Sequence, residues 1–166
     1  AKFILVGTMN PEEGDLRPQL LDRFGLSVHV VSIGDKDRRM EILRRKAAFD
    51  ADPAAFAVGW SAEQKSLAEK IIAAQRGLND VQLSDDVLEK IVFITAALNL
   101  DGHRADIVMM KAARALAAFR QSEVITSSDI REAAYLSLPH RMKRLPFEAI
   151  GGENEKLQAA LAEMTP

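Results

Sequence analysis

At Asp35 the apolar pattern of this chain changes its period. Upstream lie two short continuous runs, Phe3-Ile4-Leu5-Val6-Gly7 and Leu26 to Ile33, of the kind that suits strands buried on both faces of a parallel sheet. Downstream, apolar residues recur about one helical turn apart. They are Ile42, Leu43, Ala47 and Phe49 first and then, past Pro53, Trp60, Leu67, Ile71 and Ile72, with interruptions at Gly59 and Gly77. The expected fold is an α/β fragment followed by a mainly α-helical bundle, predominantly α overall.

The ends of the helices carry their own signals. Pro18 suits the first position of a short helix reaching Phe24, after a polar loop from Thr8 to Arg17. Ser84 is a good N-cap, with Asp85 and Asp86 in the first turn where the helix dipole favours them, and Asp101-Gly102 stops that helix after Leu100. The stretch from Arg104 to about Arg120 is dense in alanine and methionine, which marks it as the centre of a helical domain. Before a helix from Ile130 to Leu138, Ser128 with Glu132 or Ser127 with Arg131 makes only an imperfect capping box. Pro139 ends or kinks that helix, and Gly151-Gly152 sets off a last one, Glu155 to Met164. The implied divisions are residues 1–50, an arm at 51–80, a helical domain at 81–147 and a tail helix at 148–166.

Composition removes several classes of function. The 22 basic and 24 acidic residues are interspersed and sum to a formal charge of −2, so no field draws in nucleic acid or an anionic membrane. The cluster Arg38, Arg39, Arg44, Arg45 and Lys46 reads as the solvated face of a helix. Without cysteine there are no disulfides, thiolate metal sites or Cys nucleophiles, as suits a reducing cytoplasm. No apolar run approaches the roughly 18 residues of a membrane span. His29, His103 and His140 stand singly, no metal site is expected, and no Gly-x-Ser-x-Gly elbow occurs. The nearest approach to a phosphate loop, Gly59 to Ser66, has Gln64 where the glycine beside Lys65 is required.

Two motifs remain. In Gly7-Thr8-Met9-Asn10-Pro11-Glu12-Glu13-Gly14, Asn10 lies just past a buried parallel strand, where such sheets bind ligands. In Leu16 to Gly25, Arg23 ends a short helix fixed by Leu20, Leu21 and Phe24, so that it can reach a phosphate outside its own subunit. Read together with Asp101-Gly102-His103-Arg104-Ala105-Asp106, the stretch from Gly7 to Gly25 closely resembles the ATPase (I-type) subunit of magnesium chelatase, in the AAA+ superfamily. The resemblance runs through Leu138-Pro139-His140-Arg141-Met142 to about Phe147, and from Glu148 onward no motif matches.

The resemblance implies roles. Asn10 would be the sensor-one residue that positions the attacking water, and Arg23 the arginine finger that crosses to a neighbour's nucleotide, with Asp22 orienting it or the subunit interface. Arg104 would be the sensor-two arginine, the alternative being an ion pair with Asp101 or Asp106. Glu12 and Glu13 match the motif and receive no catalytic step. The phosphate loop and the acidic pair that hold ATP and Mg2+ in the intact protein do not occur here, so no tightly bound cofactor and no ATP hydrolysis are expected of this chain alone. The start at Ala1 reads as a truncation beyond the nucleotide-binding strands. Phe3–Gly7 and Leu26–Ile33, which would flank the missing strand, are then expected to pair with each other or with another copy. The implied parent is a ring-forming motor, both hydrolase and part of a ligase, that drives metal insertion into a tetrapyrrole for chlorophyll or bacteriochlorophyll. Its partners would be copies of itself and the D-type and porphyrin-binding subunits. The alternatives are a D-type or cobalt-chelatase subunit, a MoxR-type ATPase chaperone, or a non-enzymatic assembly module.

Overall fold

The computed structural model describes residues 3–10, 17–100, 102–142 and 152–164. Pro11, Glu12, Glu13, Gly14, Asp101, Phe147 and Gly151, which entered the sequence argument, lie outside the described residues. The described chain is predominantly helical: α1 (Pro18–Leu21), α2 (Lys36–Ala51), α3 (Pro53–Gly59), α4 (Ser61–Gly77), α5 (Asp85–Ala97), α6 (Arg104–Phe119), α7 (Ser127–Ser137) and α8 (Gly152–Glu163), with a 3-10 turn at Pro139–Arg141 after α7. None of the described helices is long and apolar enough to cross a membrane.

α6 is the axis of the bundle, as its composition implies. Ala105, Met109, Ala113 and Ala117 recur every four residues and are all buried, so a stripe of small side chains lets α7 approach closely with Ile130, Ala133 and Ala134. α5 adds Val87, Ile91 and Ile94. α8 closes the end with Leu157, Leu161 and Met164, packing on α5, α7 and the 3-10 turn. The connections before α5 and α7 run side by side: the Gln82 amide donates to the Glu123 carbonyl at 2.8 Å in an isolated parallel bridge.

α7 begins at Ser127, three residues before the expected Ile130, because the box that starts it is Thr126 with Asp129. The Asp129 carboxylate accepts from the Thr126 amide and hydroxyl, both at 2.7 Å, and from the Arg120 Nε at 2.7 Å. Burial opposes the charge on Asp129. The Arg120 guanidinium and the Thr126 donors outweigh that penalty and hold its pKa below the ordinary carboxylate value. The same hydrogen bond raises the pKa of Arg120. α5 ends at Ala97 instead of Leu100, and Asn99 takes a left-handed conformation (φ 49°) that asparagine tolerates better than most residues.

The arm formed by α2, α3 and α4 contains no buried residue. α2 packs on α3, α3 on α4, and α4 lies across α6, where Ala74 meets the core and the Lys70 ammonium sits 5.1 Å from the Phe119 ring centre. Phe49, Phe56 and Trp60 stack in series, with the Arg45 guanidinium 4.6 Å from the Trp60 ring centre.

The expected strands are not formed. Residues 3–7 and 26–33 have no regular secondary structure and do not pair with each other; Val6, Val30 and Val31 are exposed, Val30 to 90%. An apolar run becomes a strand only when a neighbouring strand takes its N–H and C=O groups in series, and among the described residues no strand lies beside either run.

Candidate functional site

α1 places Arg23. Pro18 opens the helix where a missing N–H costs nothing, and the Arg17 carbonyl accepts from the amides of Leu20 and Leu21 at 2.9 and 3.0 Å. The helix ends at Leu21, earlier than the expected Phe24, in a tight turn closed by Arg23 N–H to the Leu20 carbonyl (3.0 Å) and Phe24 N–H to the Leu21 carbonyl (3.1 Å). Within that turn Asp22 faces the bundle. The Arg23 side chain is exposed and has no hydrogen-bond or ion-pair partner among the described residues.

Asp22 is held by two arginines that are far from it in sequence. Arg104, the first residue of α6, donates from Nη1 to one carboxylate oxygen, and Arg141, from the 3-10 turn, donates from Nη1 to the other. Asp22 makes no ion pair with Arg23 among the described residues, and Arg104 does not pair with Asp106, which lies 3.4 Å from His103 Nδ1 instead. Arg141 does more than neutralise charge. Its Nη1 donates to the Asp22 carbonyl at 2.8 Å, its Nη2 to the Phe24 carbonyl at 2.7 Å and its Nε to the Ser137 carbonyl at 3.0 Å. Burial lowers the pKa of this guanidinium, and neighbouring Arg104 lowers it further while Asp22 opposes.

His140 completes the contact. Its Nε2 lies 3.1 Å from the Phe24 carbonyl, so Nε2 carries the proton, and Nδ1 is buried without a hydrogen-bond partner among the described residues. Burial lowers the pKa of the ring, with Arg141 acting in the same sense and the Phe24 carbonyl and Asp22 opposing. A second proton would create a buried Nδ1–H with no acceptor beside a cation. At the far end of the segment the Ser27 amide donates to the Leu136 carbonyl at 2.8 Å. Gly7 approaches the same place: a Cβ there would lie 3.4 Å from the Phe24 ring, which brings the segment carrying Asn10 alongside the segment carrying Arg23.

Of the predicted site residues, the structure thus joins Asp22 to Arg104 and presents Arg23 beside them. Asn10 lies exposed three residues beyond Gly7. Gly59 to Ser66 is not a loop: Gly59 ends α3 and Ser61 begins α4. Sequence reasoning missed Arg141 and His140 as groups of this site. The stretch Leu138 to Met142 was visible as a motif, but neither residue had a partner nearby to reveal its task.

The chain is similar to several known proteins. Residues 88–160 match the AAA lid domain family. The chain is 47% identical over 163 residues to a magnesium-chelatase subunit ChlI homolog of Methanocaldococcus jannaschii, covering 98% of this chain and 45% of that protein. It is 42% identical over 166 residues to the magnesium-chelatase 38 kDa subunit of Cereibacter sphaeroides, covering all of this chain and 49% of that one. An uncharacterized protein of Mycobacterium tuberculosis is 48% identical over 162 residues, with 98% of this chain and 26% of that protein covered. The chain therefore spans from about a quarter to half the length of these relatives. Among solved structures, a candidate ATPase from Cytophaga hutchinsonii superposes with a TM-score of 0.63 over 92% of this chain and 49% of that one, at 19% identity, which is a likeness of fold.

Proposed function

Because the chain is homologous over nearly its whole length to magnesium-chelatase I subunits of the AAA+ superfamily, we propose that it is the C-terminal part of an ATP-hydrolysing motor subunit of that kind, acting in the cytoplasm. The motor drives metal insertion into a tetrapyrrole by a separate catalytic subunit. Residues 1–50 supply the end of the α/β core, residues 51–80 the arm and residues 81–147 the lid.

One observation supports this reading above the others: Arg23 is exposed and has no side-chain partner among the described residues, on a turn whose neighbour, Asp22, is held by two arginines. An arginine needed only for stability would be spent on a local carboxylate. One kept free on a fixed backbone is suited to a phosphate on another molecule, where a bidentate guanidinium is worth several orders of magnitude in rate.

The donor set fits a nucleotide. Arg23 and Arg104 are guanidiniums with at least half-exposed side chains or no partner, and α6 begins behind His103 without a side-chain cap, so its first amides remain available to an anion. Bound MgATP supplies the phosphoryl group and the metal charge. The chain's own groups position and neutralise: Arg23 acts as the finger across the subunit interface, Arg104 as sensor two, and Asn10 as sensor one, its amide orienting the attacking water. Among the described residues no three His, Cys, Asp or Glu side chains gather as a metal site, and no residue of this chain is assigned to the magnesium. The partners in this reading are further copies in a ring and the D-type and porphyrin-binding subunits.

The test mixes two inactive full-length subunits, one altered at its phosphate-loop lysine and one carrying Arg23→Ala. ATP turnover regained on mixing, and absent from each alone, is the expected result. Proven co-assembly without recovery would remove Arg23 from the neighbour's active site.

A further inference from the structure

We propose that Arg141 is the positioning residue of the Arg23 finger, holding the backbone on either side of Arg23 on the bundle without needing Arg104, which is left free to change partners. This rests on the finger reading of Arg23 above. Two arginines share the Asp22 carboxylate, but they are not equivalent. The Arg141 side chain is 4% exposed and that of Arg104 is 53% exposed. Arg141 spends its donors on groups of the main chain as well as on the carboxylate: the Asp22 carbonyl at 2.8 Å and the Phe24 carbonyl at 2.7 Å on the segment, and the Ser137 carbonyl at 3.0 Å at the end of α7. Arg104 reaches the segment through Nη1 alone, and its approach to the Asp22 carbonyl is long, at 3.4 Å.

The consequence of losing each differs accordingly. Without Arg104, Asp22 keeps a charged partner and the carbonyls of residues 22 and 24 keep their donors. Without Arg141, the Asp22 carbonyl retains only the long contact to Arg104 and Phe24 retains only the His140 ring. Arg141 therefore fixes the backbone on either side of Arg23, while the Ser27 amide on the Leu136 carbonyl fixes the far end of the same segment. Both attachments are to the last turn of α7 and the residues after it, so the finger moves as one body with that helix. Arg104 is the exchangeable partner: it can leave Asp22 for a phosphate oxygen without releasing the finger. Only a guanidinium can serve this place, since its planar fork reaches a carboxylate and three carbonyls in different directions, whereas a lysine ammonium is a single point of contact.

The experiment uses the full-length subunit with Arg141→Ala, Arg141→Lys, Arg104→Ala and Arg23→Ala, reading ATP turnover and hydrogen exchange by residue. Arg141→Ala is expected to lower kcat about tenfold or more with KM changed less than about twofold, as misplacing a catalytic group does. The Ser27 amide should then exchange about tenfold faster while the amides of α6 keep their protection. Arg104→Ala should leave Ser27 protected. If Arg141→Ala opens α6 as well, Arg141→Lys carries the test, with the same loss of Ser27 protection and of kcat expected on an intact bundle. Unchanged Ser27 exchange in these variants overturns the proposal, and so does faster exchange with kcat intact, which would leave Arg141 a structural anchor. Full turnover by Arg23→Ala is a separate failure. It removes the finger reading itself, whatever Arg141 does to the segment.

Discussion

The two halves of this molecule are held by different forces. From Val81 onward the chain buries a continuous apolar core drawn from α5, α6, α7 and α8, whereas no described residue before Val81 is buried. The segment that carries Arg23 is attached to that core by polar contacts, from Arg104, Arg141, His140 and the Leu136 carbonyl. Apolar burial is insensitive to direction and gives a stable body. Hydrogen bonds and ion pairs are directional and individually modest, so they can hold a functional segment in one orientation and still let it respond to a charged ligand. The bundle is thus the platform, and the segment carrying Arg23 is mounted on it by directional polar contacts.

The same chemical change in the two regions provides the largest contrast. Ile130→Ala, in the fully buried contact of α7 with α6, should cost about 3 kcal/mol of unfolding free energy in denaturant melts. Val30→Ala should stay within about 0.5 kcal/mol. An equal loss at both sites would mean that residues 26–33 are covered in solution, by another part of the subunit or another copy, and the division drawn here would fail.

A second, smaller effect separates the polar contacts of the bundle from those of the finger. Asp129→Ala removes the capping box of α7 and the partner of Arg120 together. Since the Arg120 side chain is 44% exposed and can rehydrate, the expected loss is about 2 kcal/mol in the same melts. A loss below the scatter of the melts would show that the cap is incidental and that α7 is held by its apolar face alone.

The smallest effect is one of pH. His140 is held neutral by burial, with its pKa below the ordinary 6.5. When the finger segment leaves, the ring gains solvent and its pKa returns toward that value. The attached state then binds fewer protons than the detached one, so attachment is fully supported above pH 6.5 and weakens as pH falls below it. Hydrogen exchange at the Ser27 amide, corrected for the intrinsic effect of pH, should show protection declining from pH 7.5 to 5.5. In His140→Gln, whose side-chain amide does not titrate, the decline should disappear. A decline of the same size in both proteins would assign it to another group.

How much could be read beforehand follows the same division. The helices of the bundle were expected nearly where they are, because the alanine stripe of α6 and the Ser84 cap of α5 are local signals. The start of α7 was misplaced because its box uses aspartate at the third position in place of the more familiar glutamate or glutamine, with threonine rather than serine as the cap. The apolar runs at residues 3–7 and 26–33 were expected to be strands and are not, because a strand needs a partner that no local pattern supplies. At the candidate site, Arg23 and Arg104 stood out through their motifs, but their actual contacts did not. Asp22 lies 82 residues from Arg104 and 119 from Arg141, and Asp106, two residues from Arg104, pairs with His103 instead.

Sequence alone therefore determined that the chain is predominantly helical, the order and periodicity of the helices, the likeness to chelatase ATPase subunits and the place of Arg23 just after a short helix. These are properties of residues within a few turns of one another, where periodicity and capping act. Only the tertiary structure decided which cations meet Asp22, that Arg23 has no side-chain partner among the described residues, and that His140 and Arg141 both hold the segment. Such pairings depend on how α6, α7 and the turn after α7 pack in space, and a charged side chain chooses among many possible partners only once that packing has brought one within hydrogen-bond reach.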